Sequence, residues 1–206
     1  MSFSASIAHA GVLEPGRKSF SPRQQEVLDV VERVFLREGI RAVRMAKLAD
    51  EAQCSRSTLY ELAASKEDLL LLVLDRMMRR TVQRAGDAIR EAPGPVDQVR
   101  AMLTSGALGF SALGPNFLDA IRGYPPARLL FDRWIAVGRD ALERMIDEAV
   151  RAREFRPVNA AVVAEGMFAV VMRFTDPEFA RSTRVSASDG LAQLVDVLLD
   201  GLRPRS

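Results

Sequence analysis

Residues 44–67 read RMAKLADEAQCSRSTLYELAASKE, and the spacing of their apolar and hydroxyl side chains decides the fold. Met45, Leu48, Ala49 and Ala52 recur at i, i+3, i+4 and i+7, which predicts a short helix over about 44–52 covered on one face. Gln53-Cys54 leaves room only for a tight turn. Ser55 then offers an N-cap to a third helix running through Leu62, with Leu59 and Leu62 turned inward. Ser65 caps again, Asp68 lies three residues on, and Glu67 and Asp68 suit the positive end of a helix dipole. Two short helices joined by a brief turn make a helix-turn-helix when another helix packs across them.

That other helix lies upstream. Ser21 can cap, Pro22 fits the first helical position, and Gln24 completes a Ser-x-x-Gln capping box. Val27, Val31, Val34 and Phe35 follow at helical spacing, and Gly39 supplies a left-handed stop. Residues before it lack periodicity and read as an arm ending in Arg17-Lys18. Downstream, a long fourth helix carries Leu69, Leu70, Leu72, Val73, Met77 and Val82 up to Pro93-Gly94-Pro95. Further helices are predicted at about 96–113, 116–123, 126–153, 158–174 and 188–203. Gly114-Pro115, Gly123-Tyr124-Pro125-Pro126, Arg156-Pro157 and the region of Asp176-Pro177 separate them. No strand pattern appears. The expected fold is all-α with about nine helices: a flexible arm over 1–19, a three-helix helix-turn-helix domain over 20–67, and a larger helical domain over 68–206.

With Leu59 and Leu62 inward, the outer N-terminal face of the third helix is Arg56, Ser57 and Thr58, with Tyr60 beside them. Arginine can bridge guanine, and hydroxyls can meet a base edge or a phosphate. Lys66 sits in the first turn of the fourth helix, where free backbone N–H groups favour an anion. Arg44, at the start of the second helix, adds a further cation. The expected DNA-contacting set is therefore Arg44, Ser55, Arg56, Ser57, Thr58, Tyr60 and Lys66. Whole-chain charge is only +2, but from Arg17 to Lys66 ten basic residues face seven acidic ones, so the basic excess lies in the first third.

The same composition excludes other classes. One cysteine, Cys54, forbids an internal disulfide, and the only histidine, His9, lies far from it. No metal-ligand spacing, phosphate-cradling loop or Cys/His or Ser/His/Asp set can be assembled, so neither enzyme, metal nor cofactor is expected. The uncharged run Ala101–Leu118 reaches the lower limit of a membrane span, yet its glycines, Pro115 and Asn116 read as a buried helix and loop. With no basic and apolar leader at the start, a cytoplasmic protein is expected.

The run from Gln25 to Asp75, QEVLDVVERVFLREGIRAVRMAKLADEAQCSRSTLYELAASKEDLLLLVLD, resembles the DNA-binding head of the TetR family of transcriptional repressors. Gly39, Leu48-Ala49, Ala52, Ser55, Thr58-Leu59-Tyr60 and Ser65-Lys66-Glu67 carry the resemblance. It implies base or phosphate contacts for Arg56, Ser57, Thr58 and Tyr60, and a phosphate anchor at Lys66. It also implies a divergent, helical, ligand-binding body. Three features depart from the family pattern. Val43-Arg44 replaces the usual threonine cap of the second helix, Gln53 replaces the glycine of the turn, and Glu61-Leu62-Ala63 replaces an aromatic stretch.

The last two helices show more apolar surface than one-sided packing requires. Val163, Gly166, Met167 and Val170, with Leu191, Leu194, Val195 and Leu198, are the expected homodimer interface. A two-fold dimer sets its recognition helices about 34 Å apart and calls for a palindromic operator. Between head and dimer helices, Met102, Phe110, Phe117, Phe131 and Trp134 are candidate linings for an apolar effector. The expected function is a repressor released from DNA by such an effector. A DNA-binding regulator without a small-molecule ligand, and a protein-interaction module with a vestigial head, are the alternatives.

Overall fold

The computed structural model describes residues 19–174, 182 and 187–204. His9, Arg17-Lys18, the break near Asp176-Pro177 and all of the predicted arm but Ser19 lie outside them. Among the described residues the chain forms nine helices and no strand. They are α1 (Pro22–Glu38), α2 (Met45–Glu51), α3 (Arg56–Leu62), α4 (Lys66–Glu91), α5 (Pro95–Ser111), α6 (Gly114–Gly123), α7 (Pro125–Arg151), α8 (Ala160–Phe174) and α9 (Ala187–Leu202). The all-α expectation holds.

Helix α1 begins as its sequence dictates. The Ser21 hydroxyl accepts the Gln24 amide at 3.2 Å, and the Gln24 side chain accepts the Ser21 amide at 3.0 Å. Val27, Leu28, Val31, Val34 and Phe35 are buried along its inner face, each such burial stabilising by about 1.5–3 kcal/mol. Gly39 ends the helix at φ 76°, its amide donating to the Phe35 carbonyl at 2.9 Å. A side chain there would also crowd Asn116, whose Cβ lies 3.3 Å from the position a Cβ would take.

Gly114-Pro115 opens α6 rather than separating it from α5. Pro115 stands in the first turn, where its missing N–H would have had no helical partner.

The described chain divides into two packing units. One runs to Met78 and also takes in Leu113–Arg133. In it α1 packs on α2 and α6, and α2 packs on α3. The other holds Arg79–Ala112 and the described residues from Trp134 onward. Here α5 is central: α8 and α9 both pack on it and on each other. The division therefore falls inside α4, between Met78 and Arg79, and inside α7, between Arg133 and Trp134.

Within the second unit, glycines set two close approaches. Gly109 on α5 meets the side chain of Thr81 on α4, and Gly138 on α7 meets the ring of Phe168 on α8. The end of α9 is closed by Arg156, whose amide donates to the Leu202 carbonyl at 2.8 Å and whose Nε donates to the Gly201 carbonyl at 3.1 Å.

Candidate nucleic-acid interface

The N-terminal edge of α3 is built around one hydroxyl. Ser55 has extended backbone geometry and accepts the Thr58 amide at 3.0 Å, the bond that starts a short helix. Its Oγ also lies 2.6 Å from the Ser57 hydroxyl and 2.9 Å from the Thr58 hydroxyl. Leu59 and Leu62 are buried beneath. Arg56, Ser57 and Tyr60 are consequently exposed, Tyr60 by 53%, while Thr58 is half-buried. Ser55 is committed to the cap. Arg56, Ser57 and Tyr60 offer guanidinium, hydroxyl and phenol groups to whatever faces this edge.

Lys66 and Arg44 come together through the intervening backbone. Lys66 Nζ donates to the Val43 carbonyl at 3.0 Å, which brings the ammonium beside the residue preceding Arg44. Lys66 is half-buried and Arg44 exposed. Arg44 occupies the N-cap position of α2 with no side-chain cap bond, so the departure from a threonine cap does leave that helix start uncapped. The start of α4 is secured instead by Ser65, which accepts the Asp68 amide at 3.0 Å and donates to its carboxylate at 2.7 Å.

The turn between α2 and α3 holds Gln53 at φ 48°. This is the left-handed geometry that a glycine would adopt without cost. Arg23, on α1, secures that turn: its guanidinium donates to the carbonyls of Ala52 at 3.1 Å and Gln53 at 2.9 Å, and to Glu26 at 3.0 Å. Sequence reasoning missed this residue, since the bond joins positions about thirty residues apart and no local pattern announces it. It also missed a charged cluster at the end of α1. There Lys47 bonds Glu38 at 2.5 Å, and Arg37 bonds Glu38 at 2.7 Å and Glu51 at 2.9 Å. Hydrogen bonds from Lys47, and then from Arg37, hold the Glu38 carboxyl below its usual range. Cys54, half-buried in the turn, is shifted the other way: burial raises its thiol, partly offset by the charge of Arg23.

The remaining predicted residues are distributed as follows. Met102, Phe110, Phe117, Phe131 and Trp134 are all buried. Phe117 and Phe131 belong to the first packing unit, and Met102, Phe110 and Trp134 to the second. A cleft of about 210 Å³ lies elsewhere, between the end of α1 and α6, lined by Glu38, Ile40, Arg41, Asn116 and Asp119. That is below the range of about 300–1,000 Å³ usual for a small-molecule site.

Of the expected interface residues, Met167, Leu191 and Val195 are turned into the protomer's own core. This corrects their assignment to a partner-facing surface. Each of these helices spends one apolar face on α5, and the interface expectation drew partly on that face. Gly166 is exposed, and Val163, Val170, Leu194 and Leu198 are half-buried. The outward apolar side chains include Val162 and Val197, 68% and 66% exposed.

A capped recognition-type helix with an exposed arginine and hydroxyl edge, set in a small helical head and followed by a larger helical body, defines a class: helix-turn-helix regulators. Residues 27–73 match the family model of bacterial regulatory proteins of the tetR family. Over that stretch the chain is similar to the DNA-binding head of tetR-family regulators. Solved structures agree in fold. A TetR-family transcriptional regulator from Cytophaga hutchinsonii matches with a TM-score of 0.74 at 16% identity, over 92% of this chain and 100% of its own. The regulator FadR from Bacillus subtilis, in complex with stearoyl-CoA, matches with a TM-score of 0.69 at 15% identity, over 87% and 99%. AibR, in complex with isovaleryl coenzyme A and operator DNA, matches with a TM-score of 0.62 at 20% identity, over 89% and 100%. No curated protein matches in sequence. Among the described residues, no helix is long and apolar enough to cross a membrane, and no cluster of His, Cys, Asp and Glu side chains could hold a metal ion.

Proposed function

We propose that this protein is a ligand-responsive transcriptional repressor, without enzymatic activity, that binds a palindromic operator as a homodimer and leaves it when a small, largely apolar effector binds. Residues 20–67 act as the DNA-binding head and 68–206 as the effector-binding and dimerising body. The observation that carries this reading is the exposed Arg56-Ser57 edge at the start of a helix whose inner face is fully committed to packing.

In this reading Arg56 reads a base edge, Ser57, Thr58 and Tyr60 meet bases or phosphates, and Arg44 and Lys66 hold phosphates. Ser55 acts by fixing the start of the helix. The homodimer forms through the outward faces of α8 and α9, with Val162, Gly166 and Val197 central and Val163, Val170, Leu194 and Leu198 at the margin. Fold-level likeness to FadR and AibR, which are seen with acyl-coenzyme A ligands, supports an effector with an apolar portion. Effector and operator are coupled by differential affinity for two arrangements of the body, a coupling typically of about 1–3 kcal/mol.

Selection of bound sequences from random duplex DNA tests the reading. The expected result is a near-palindrome with half-sites one helical turn apart and an affinity that falls steeply with salt. Arg56→Ala should relax preference at one position of each half-site. Lys66→Ala should weaken all sequences alike. Failure of the folded protein to enrich any duplex would end the proposal.

A further inference from the structure

We infer that Trp134, with the Arg79 guanidinium over its ring, is the polar anchor of the effector site and recognises an acyl oxygen on an otherwise apolar effector. The inference rests on the reading of the body as effector-binding and adds the residue and the chemical class. Trp134 is only 5% exposed, yet its indole N–H has no hydrogen-bond partner. Native proteins pair nearly every buried polar group, and each exception asks for an explanation. Indole nitrogen is a donor only. The missing partner must therefore be an acceptor.

The surroundings narrow the class. The Arg79 guanidinium carbon stands 5.9 Å from the centroid of the same ring, so positive charge lies over the indole. That field favours an acceptor with full or partial negative charge over a neutral amine or an ammonium group. One helical turn along α7 is Gly138, on the same face as Trp134. A Cβ at Gly138 would lie 2.9 Å from the Phe168 ring and 3.7 Å from the Met102 methyl. The face beside the donor is thus apolar, and Met102 is a flexible side chain able to repack around a ligand. An acyl oxygen at the indole, with its hydrocarbon chain against the apolar side chains of this face, satisfies both halves. A carboxylate and a thioester carbonyl share that chemistry.

Trp134 is the single tryptophan of the chain, so intrinsic emission reports this site alone. The full-length protein is titrated with dodecanoate and with dodecanoyl-coenzyme A, following Trp134 emission and melting temperature. A saturable emission shift with dodecanoate but not the thioester identifies a free acid. The converse identifies a thioester, and either result supports the anchor. Trp134→Phe keeps an aromatic ring and removes the donor. It should raise the ligand concentration needed for half-saturation about tenfold and shrink the ligand-induced rise in melting temperature.

If both ligands leave Trp134 emission and melting temperature unmoved, the anchor is wrong. The same holds if either ligand stabilises the protein without touching the emission, or if Trp134→Phe binds as tightly as the parent. Operator binding by the ligand-free protein is scored separately. Its failure strikes the regulator reading and leaves the emission titration to decide the anchor.

Discussion

Helices α3 and α5 begin in opposite ways. In the head, α3 starts on the Ser55 hydroxyl, which bonds an amide three residues away. In the body, α5 starts at Gly94 with no side-chain cap of its own, and its Val96 amide instead donates to the Glu154 carboxylate at 3.4 Å, 58 residues further along the chain. The first start is written into adjacent residues, whereas the second exists only once the chain has folded back on itself. The same contrast runs through the packing. The head is ordered largely by local caps and one inner face per helix. The body depends on close approaches between distant segments, such as Gly109 against Thr81. Substitutions should therefore act more severely at close approaches in the body and more mildly at the caps of the head.

Gly109→Ala gives the largest expected effect. The added methyl would overlap the Thr81 side chain, and a β-branched threonine has little rotamer freedom with which to yield. Overpacking of this kind costs about 1–3 kcal/mol. For a chain of this size that lowers the melting temperature by about 2–4 °C per kcal/mol. Thermal unfolding followed by circular dichroism checks it, and an unchanged melting temperature would show that α4 and α5 are not held at close approach.

Ser55→Ala should do less to stability. Losing an N-cap hydroxyl costs about 1 kcal/mol, and Ser55→Asp should restore most of it, since aspartate caps as well as serine does. Operator affinity separates the two regions more sharply than melting does. At equal folded concentration, Ser55→Ala should bind DNA more weakly, because the hydroxyls of Ser57 and Thr58 lose the atom that orients them. Gly109→Ala should bind as the parent does. If Gly109→Ala instead weakens operator binding while Ser55→Ala leaves it alone, the division of labour is reversed.

The contrast also explains what the sequence revealed. Ser21, Ser55 and Ser65 announced three helix starts, and the apolar spacing announced the inner faces of α1, α2 and α3, because each signal spans only a few residues. Arg23 gave no such signal. Its role at the turn depends on α1 lying across α2, a relation that periodicity does not encode. In the body the apolar faces of α8 and α9 were visible, but which face meets α5 was not. Met167, Leu191 and Val195 therefore turn out to be core rather than surface. Trp134 was visible as one buried aromatic among several. Its unpartnered N–H emerges only from coordinates.

The smallest effect is expected where both regions hold a side chain in left-handed geometry. Gln53 stands at φ 48° in the head and Arg153 at φ 61° just beyond α7 in the body. For an L-residue that conformation costs about 1–2 kcal/mol, while glycine there loses about 0.4–1 kcal/mol through the greater freedom of its unfolded chain. Gln53→Gly and Arg153→Gly should each stabilise by a few tenths to about 1 kcal/mol, read as the midpoint of denaturant unfolding at constant slope. Both bonds that fix these turns use backbone groups and survive the substitution. Arg23 still reaches the Gln53 carbonyl, and the amide of residue 153 still reaches the Val150 carbonyl. Equal gains would mean that local backbone strain is indifferent to region and that the difference between head and body lies in side-chain packing. A loss at Gln53 alongside a gain at Arg153 would mean that the glutamine side chain itself steadies the turn, and that the head is less simply local than its caps suggest.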